Sequence, residues 1–163
     1  MASSTTKKVL ARRLDGQTLA GFVSPHNYLR PEGVEVLTRE GQLQVVPYKE
    51  LKAVYFVRDF EAGPPDDEKK LFQSRPKLEG LWVRMKFRDD DVLDGILPND
   101  ILQVSDKGVT VTPPDPYSNN QKIFVPRQAL AQIAVLGVIG SPLAKGRPRK
   151  APAKDQIELF DEK

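Results

Sequence analysis

The stretch Leu81-Trp82-Val83-Arg84-Met85-Lys86-Phe87-Arg88-Asp89-Asp90-Asp91-Val92-Leu93-Asp94-Gly95 reads as a β-hairpin. Val83, Met85 and Phe87 alternate with Arg84, Lys86 and Arg88, the period of two expected where one face of a sheet is buried. The pattern occurs earlier as well: Leu10 to Leu14, the turn signal Asp15-Gly16, then Thr18-Leu19-Ala20-Gly21. Aligned on these blocks, the second turn is one residue longer, and Arg12 falls opposite Met85, which implies a bulge or a rim position in the first copy. Downstream, Gly33-Val34-Glu35-Val36 matches Gly108-Val109-Thr110-Val111. Val46-Pro47 with Leu51 and Val54 matches Val125-Pro126 with Leu130 and Ile133 at the same spacing. Three matched blocks in one order indicate duplication.

The expected fold is all-β, a tandem pair of small five-stranded units. Residues 7–60 form the first repeat, 61–80 a linker, 81–140 the second repeat and 141–163 a flexible basic tail. Pro47 and Pro126 cannot donate to a ladder and mark strand ends before a short turn. The closing strands are expected at 53–59 and 134–139. Asp66 is a candidate cap for a short helix over 67–72, and the loop from Pro113 to Asn120 is expected to be irregular.

Composition narrows the function. Hydrophobic residues make up 39% of the 163, enough for real cores, and there is no cysteine for a disulfide or a thiolate metal site. The apolar run 133–139 is strand-sized, so no membrane span is expected, and Met1 to Lys8 lack a signal-like apolar core. A cytoplasmic location, with association to the nucleoid, is the expectation. The single histidine, His26, has no orienting partner in its loop sequence, and Asp66-Asp67-Glu68 and Asp89-Asp90-Asp91 have turn or cap spacing rather than a calcium loop's. Binding rather than catalysis is expected, with no catalytic residue, no metal and no cofactor.

A five-stranded bent sheet with Gly95-Ile96-Leu97 and Asp100 resembles the Sm-like barrel and part of its first motif. The second Sm motif, a basic residue followed by Gly in the last hairpin, is absent from both copies, so that family's RNA-binding residues are not carried over. Segments 74–84 and 112–127 resemble an uncharacterised bacterial domain family. Arg84 and Arg88 share the spacing of the PilZ arginine pair, but its companion Asp-x-Ser-x-x-Gly motif is missing, and a solvated face is expected. Trp82 is expected in a core or between the repeats.

Charge is concentrated late in the chain. The net charge is +3, yet residues 1–140 carry 19 basic and 18 acidic side chains, while 145–154 carry five basic residues and no acid. Lys145-Gly146-Arg147-Pro148-Arg149-Lys150 resembles an AT-hook. The resemblance implies Arg147 and Arg149 in an A·T minor groove, Gly146 and Pro148 holding the backbone close and extended, and Lys145 and Lys150 on phosphates. Gln156-Ile157-Glu158-Leu159-Phe160 resembles the pentapeptide by which bacterial proteins dock on the DNA sliding clamp, which implies Gln156 as the polar anchor and Leu159 and Phe160 in the apolar pocket. The expected partners are A·T-rich duplex DNA and the sliding clamp. The alternative is a structural or signalling module whose repeats bind protein or nucleotide, with an inert tail.

Overall fold

The structure is a computed structural model, and it describes residues 6–62, 70–114 and 119–140. These residues are all-β: ten strands, no α-helix, and short 3-10 turns between them. The first half contributes β1 (Lys7–Arg13), β2 (Thr18–Val23), β3 (Gly33–Thr38), β4 (Leu43–Pro47) and β5 (Leu51–Val57). The second contributes β6 (Gly80–Phe87), β7 (Val92–Leu97), β8 (Gly108–Val111), β9 (Asn120–Pro126) and β10 (Leu130–Ile139).

Hydrogen bonding arranges the strands as a seven-stranded sheet, β4-β3-β2-β1-β5-β9-β8, and a three-stranded sheet, β10-β6-β7. A single bridge joins the two sheets: Ile96 and Thr112 exchange both backbone bonds, at 2.9 and 3.0 Å. Through that bridge the order β4-β3-β2-β1-β5 recurs as β9-β8-β7-β6-β10. The halves are joined where β5 pairs antiparallel with β9, Val54 opposite Phe124 and Phe56 opposite Lys122.

The alternating pattern sets the cores. Val83, Met85 and Phe87 of β6 are buried together with Leu93, Val111, Ile123 and Val125. Val9 and Ala11 of β1 are buried with Val34, Val36, Leu51 and Val54. At the junction each half lends a side chain to the other: Phe124 of β9 lies in the first core and Ala53 of β5 in the second. Gly33 and Gly108 hold equivalent tight crossings, since a Cβ on either would strike the carbonyl oxygen of Val46 or Val125.

Four expectations need correction. The first hairpin turn is as long as the second: Gly16 N bonds Arg13 O and Arg13 N bonds Gln17 O, while Asp90 N bonds Phe87 O and Phe87 N bonds Asp91 O. Arg13 therefore corresponds to Phe87, and Ala11, fully buried, is the counterpart of Met85. Arg12 looked out of pattern because the alignment was slipped by one residue. A bulge does fall between Arg12 and Arg13, where β1 pairs β5. Secondly, Lys70 to Phe72 are not helical; Lys70 O accepts from Asp94 N on the edge of β7. Asp66 to Lys69 lie outside the described residues. Thirdly, the closing strands start earlier, at Leu51 and Leu130, after the 3-10 turns Tyr48–Glu50 and Arg127–Ala129, and the first ends at Val57 rather than Asp59. Finally, Asn120 is the buried first residue of β9 rather than loop.

Candidate functional site

Pairing β5 with β9 opens a cleft of about 500 Å³ lined by Lys7, Pro25, Tyr28, Phe56, Thr110, Gln121 and Lys122. Its floor is aromatic. Tyr28 meets Phe56 edge-on at 5.6 Å and Phe124 at 6.0 Å. Burial pushes the Tyr28 hydroxyl up to about 12, against the opposing effect of its hydrogen bond to Thr110, so it remains a neutral group at physiological pH. Lys7, Gln121 and Lys122 are exposed. Lys122 and Thr110 also line a neighbouring groove of about 360 Å³ that runs past Leu97, Val109 and Leu78. Two ammonium groups and a carboxamide above an aromatic floor suit an anionic group carried on a flat or apolar body.

Asp94 on β7 is fully buried. Arg84 grips it in a fork, Nε to Oδ1 at 2.6 Å and Nη2 to Oδ2 at 3.0 Å. The Phe72 amide (3.1 Å) and Trp82 Nε1 (3.3 Å) donate to Oδ2 as well. Burial alone would raise this carboxyl, but the bonds from Arg84, Phe72 and Trp82 outweigh it and hold Asp94 below the usual carboxylate range. Both carboxylate oxygens are engaged within the chain, and the Phe72 bond, together with that from Asp94 N to Lys70 O, locks 70–72 onto β7. Arg84, whose side chain is 41% exposed, lies on the solvated face with Lys86 and Arg88 and is at the same time the ion-pair partner of Asp94. Trp82 is half-buried, edge-on to Phe72 at 6.0 Å.

The acidic turn is likewise committed. Lys52 Nζ of β5 reaches Asp89 at 2.8 Å and Asp91 at 2.9 Å, and Lys70 reaches Asp91 at 3.1 Å. Burial acts to lower Lys52 and to raise both aspartates, but the mutual bonds prevail, leaving Lys52 raised and Asp89 and Asp91 lowered. Among the described residues no group of three His, Cys, Asp or Glu is placed to hold a metal ion, and His26 is exposed.

The profile of a family described as "Family of unknown function (DUF6982)" matches residues 5–137. The chain belongs to that family. The DUF6982 span takes in β1 to β9, most of β10 and the whole junction cleft. No curated protein and no solved structure matches the chain.

Lys145, Gly146, Arg147, Pro148, Arg149 and Lys150, and Gln156, Leu159 and Phe160, lie outside the described residues and beyond the DUF6982 match. The cleft residues carried no motif in the sequence. They come from five separated stretches of the chain, and the β5·β9 pairing gathers them.

Proposed function

We propose that this protein is a non-enzymatic, DNA-associated adaptor of the bacterial cytoplasm. Its body would be two Sm-like five-stranded barrels, and 141–163 would be the element that engages duplex DNA and the sliding clamp. The recurrence of one strand order in both halves supports the barrel reading. The observation that carries the function is the pairing, within one short segment, of Lys145-Gly146-Arg147-Pro148-Arg149-Lys150 with Gln156-Ile157-Glu158-Leu159-Phe160. A ring threaded by DNA offers both a duplex and a peptide pocket to such a segment. Binding the two together raises the effective concentration of each.

Fluorescence anisotropy with A·T-rich and G·C-rich duplexes tests the reading. An A·T preference that falls steeply with salt is expected, and Arg147→Ala should remove it. A synthetic 154–163 peptide should compete with known clamp ligands, and replacing both Leu159 and Phe160 by Ala should end the competition. Equal affinity for both duplexes together with a silent peptide would overturn the adaptor reading. The junction cleft favours a second one, in which the repeats bind an anionic partner such as a nucleotide; Lys122→Glu would then weaken binding without disturbing the fold.

A further inference from the structure

In the first repeat the outer edge of β3 is occupied by the segment just before it. Tyr28 O accepts from Glu35 N and Arg30 N donates to Gly33 O, both at 2.9 Å, with a bridge between Leu29 and Val34. This pairing carries the Tyr28 ring into the core with Val23, Val34 and Val36. The second repeat has the same edge on β8 and leaves it open. Thr110 corresponds to Glu35 and lies two residues before Thr112, whose N–H and C=O both face β7, so the Thr110 backbone groups face the same way. Among the described residues no backbone group bonds them on that side. The segment that would do so is coiled into the turn Ile101–Gln103, with Gln103 N on Asp100 O and Val104 N on Ile101 O, and Pro98 has no N–H to give.

The groove of about 360 Å³ lies along this edge. It is lined by Leu97, Val109 and Val111, the counterparts of Val23, Val34 and Val36, so it is the place where the first repeat keeps an aromatic side chain. The chain leaves the body at its mouth. A Cβ on Gly140, the first residue after β10, would sit 2.7 Å from Glu79 Cγ, and Glu79 lines the groove. Beyond Gly140 the only aromatic residue is Phe160, which closes the run Ile157-Glu158-Leu159-Phe160. Residues 141–156 span about 55 Å when extended, whereas a body of this size has a radius of gyration of about 14 Å. The run therefore reaches the groove with slack, and a tether of that length gives it an effective concentration on the order of millimolar.

We propose that residues 157–160 of the same chain fill this groove as an added strand, pairing with the Thr110 backbone and setting Phe160 among Leu97, Val109 and Val111. The consequence rests on the sliding-clamp reading above: a segment held in the groove is withheld from the clamp.

Hydrogen exchange resolved by residue on the full chain tests the contact. The Thr110 amide should exchange about tenfold more slowly in the parent than in the Leu159→Ser/Phe160→Ser double variant, the ratio set by an occupancy of roughly nine in ten. The Val109 and Val111 amides, which face β9, should not change, so a general loss of stability is told apart. A synthetic 154–163 peptide added to the double variant should restore slow exchange, and the full chain should compete for the clamp more weakly than that peptide alone. Fast exchange at Thr110 in the parent overturns the proposal and leaves the clamp reading standing. Slow exchange that survives the double variant overturns it too, and its loss in Leu143→Ser would name the residues nearest the exit as the occupant. Protection that rises with protein concentration likewise overturns it, since a second copy would then supply the strand. Slow exchange relieved by the double variant, with a peptide that ignores the clamp, upholds the contact and removes the clamp reading.

Discussion

The first repeat carries Ala20 where the second carries Asp94, and the first continues its strand to Thr38 where the second has Pro113. In the first, β2 lies against β3 through Gly21 opposite Thr38 and Phe22 opposite Leu37. In the second, β8 stops at Val111, and only the Ile96–Thr112 bridge survives. The vacated edge of β7 is taken by Lys70, whose carbonyl accepts from Asp94 N, and the Asp94 carboxylate holds Phe72 beside it. One scaffold thus closes the same edge in two ways, by a neighbouring strand or by a buried ion pair that recruits the preceding segment. A shared strand order does not imply shared energetics.

The largest expected difference lies in that ion pair. Arg84→Met leaves a fully buried carboxylate with two donors in place of three, and should cost about 2–3 kcal/mol in urea denaturation, moderated because Arg84 is partly exposed. The counterpart change in the first repeat, Leu10→Met, should cost far less. The acid limb should move too. In the parent, Asp94 has a folded pKa below its ordinary 3.8, so its contribution is full above that value and is lost as pH falls through the depressed one. Without Arg84, burial dominates and the carboxyl shifts up, so acid destabilisation should begin at higher pH. An acid limb that does not move would show that Arg84 does little to hold the charge.

The next test asks where the repeats are alike. Gly33→Ala and Gly108→Ala each drive a methyl group into strand backbone, near Pro47 Cα at 2.9 Å and Pro126 Cα at 2.8 Å. Each should cost about 1–3 kcal/mol, and by nearly equal amounts. Clearly unequal melting temperatures would show that the two crossings are not equivalent under load.

The smallest effect is at the turns. Gly16 has φ of 93° and its counterpart Asp90 has φ of 71°. Asp90→Gly should therefore stabilise the chain by about 0.5–1 kcal/mol, since only the second repeat places a side chain in the left-handed region. A loss of stability would mean that the Asp90 side chain, 3.6 Å from Lys86 Nζ, contributes more than its backbone costs.

Much of the all-β fold was legible in local pattern: the alternation through Val83, Met85 and Phe87, the turn at Asp15-Gly16, the breaks at Pro47 and Pro126, and the duplication itself. These are properties of short stretches, set by side-chain period and by the φ values that Gly and Pro permit or forbid. The alignment slip at Arg12 shows the limit, because two turns of equal length differ in sequence and only their hydrogen bonds reveal the match. What tertiary structure alone decided depends on partners far apart in the chain. Pairing β5 with β9 gathers Lys7, Tyr28, Phe56 and Lys122 into one cleft, and it buries Val54 while leaving its copy Ile133 at an open edge. Strand identity is written in the period of neighbouring residues, whereas a strand's neighbour is chosen by which distant edge can satisfy its backbone and cover its apolar face, and no local pattern encodes that choice.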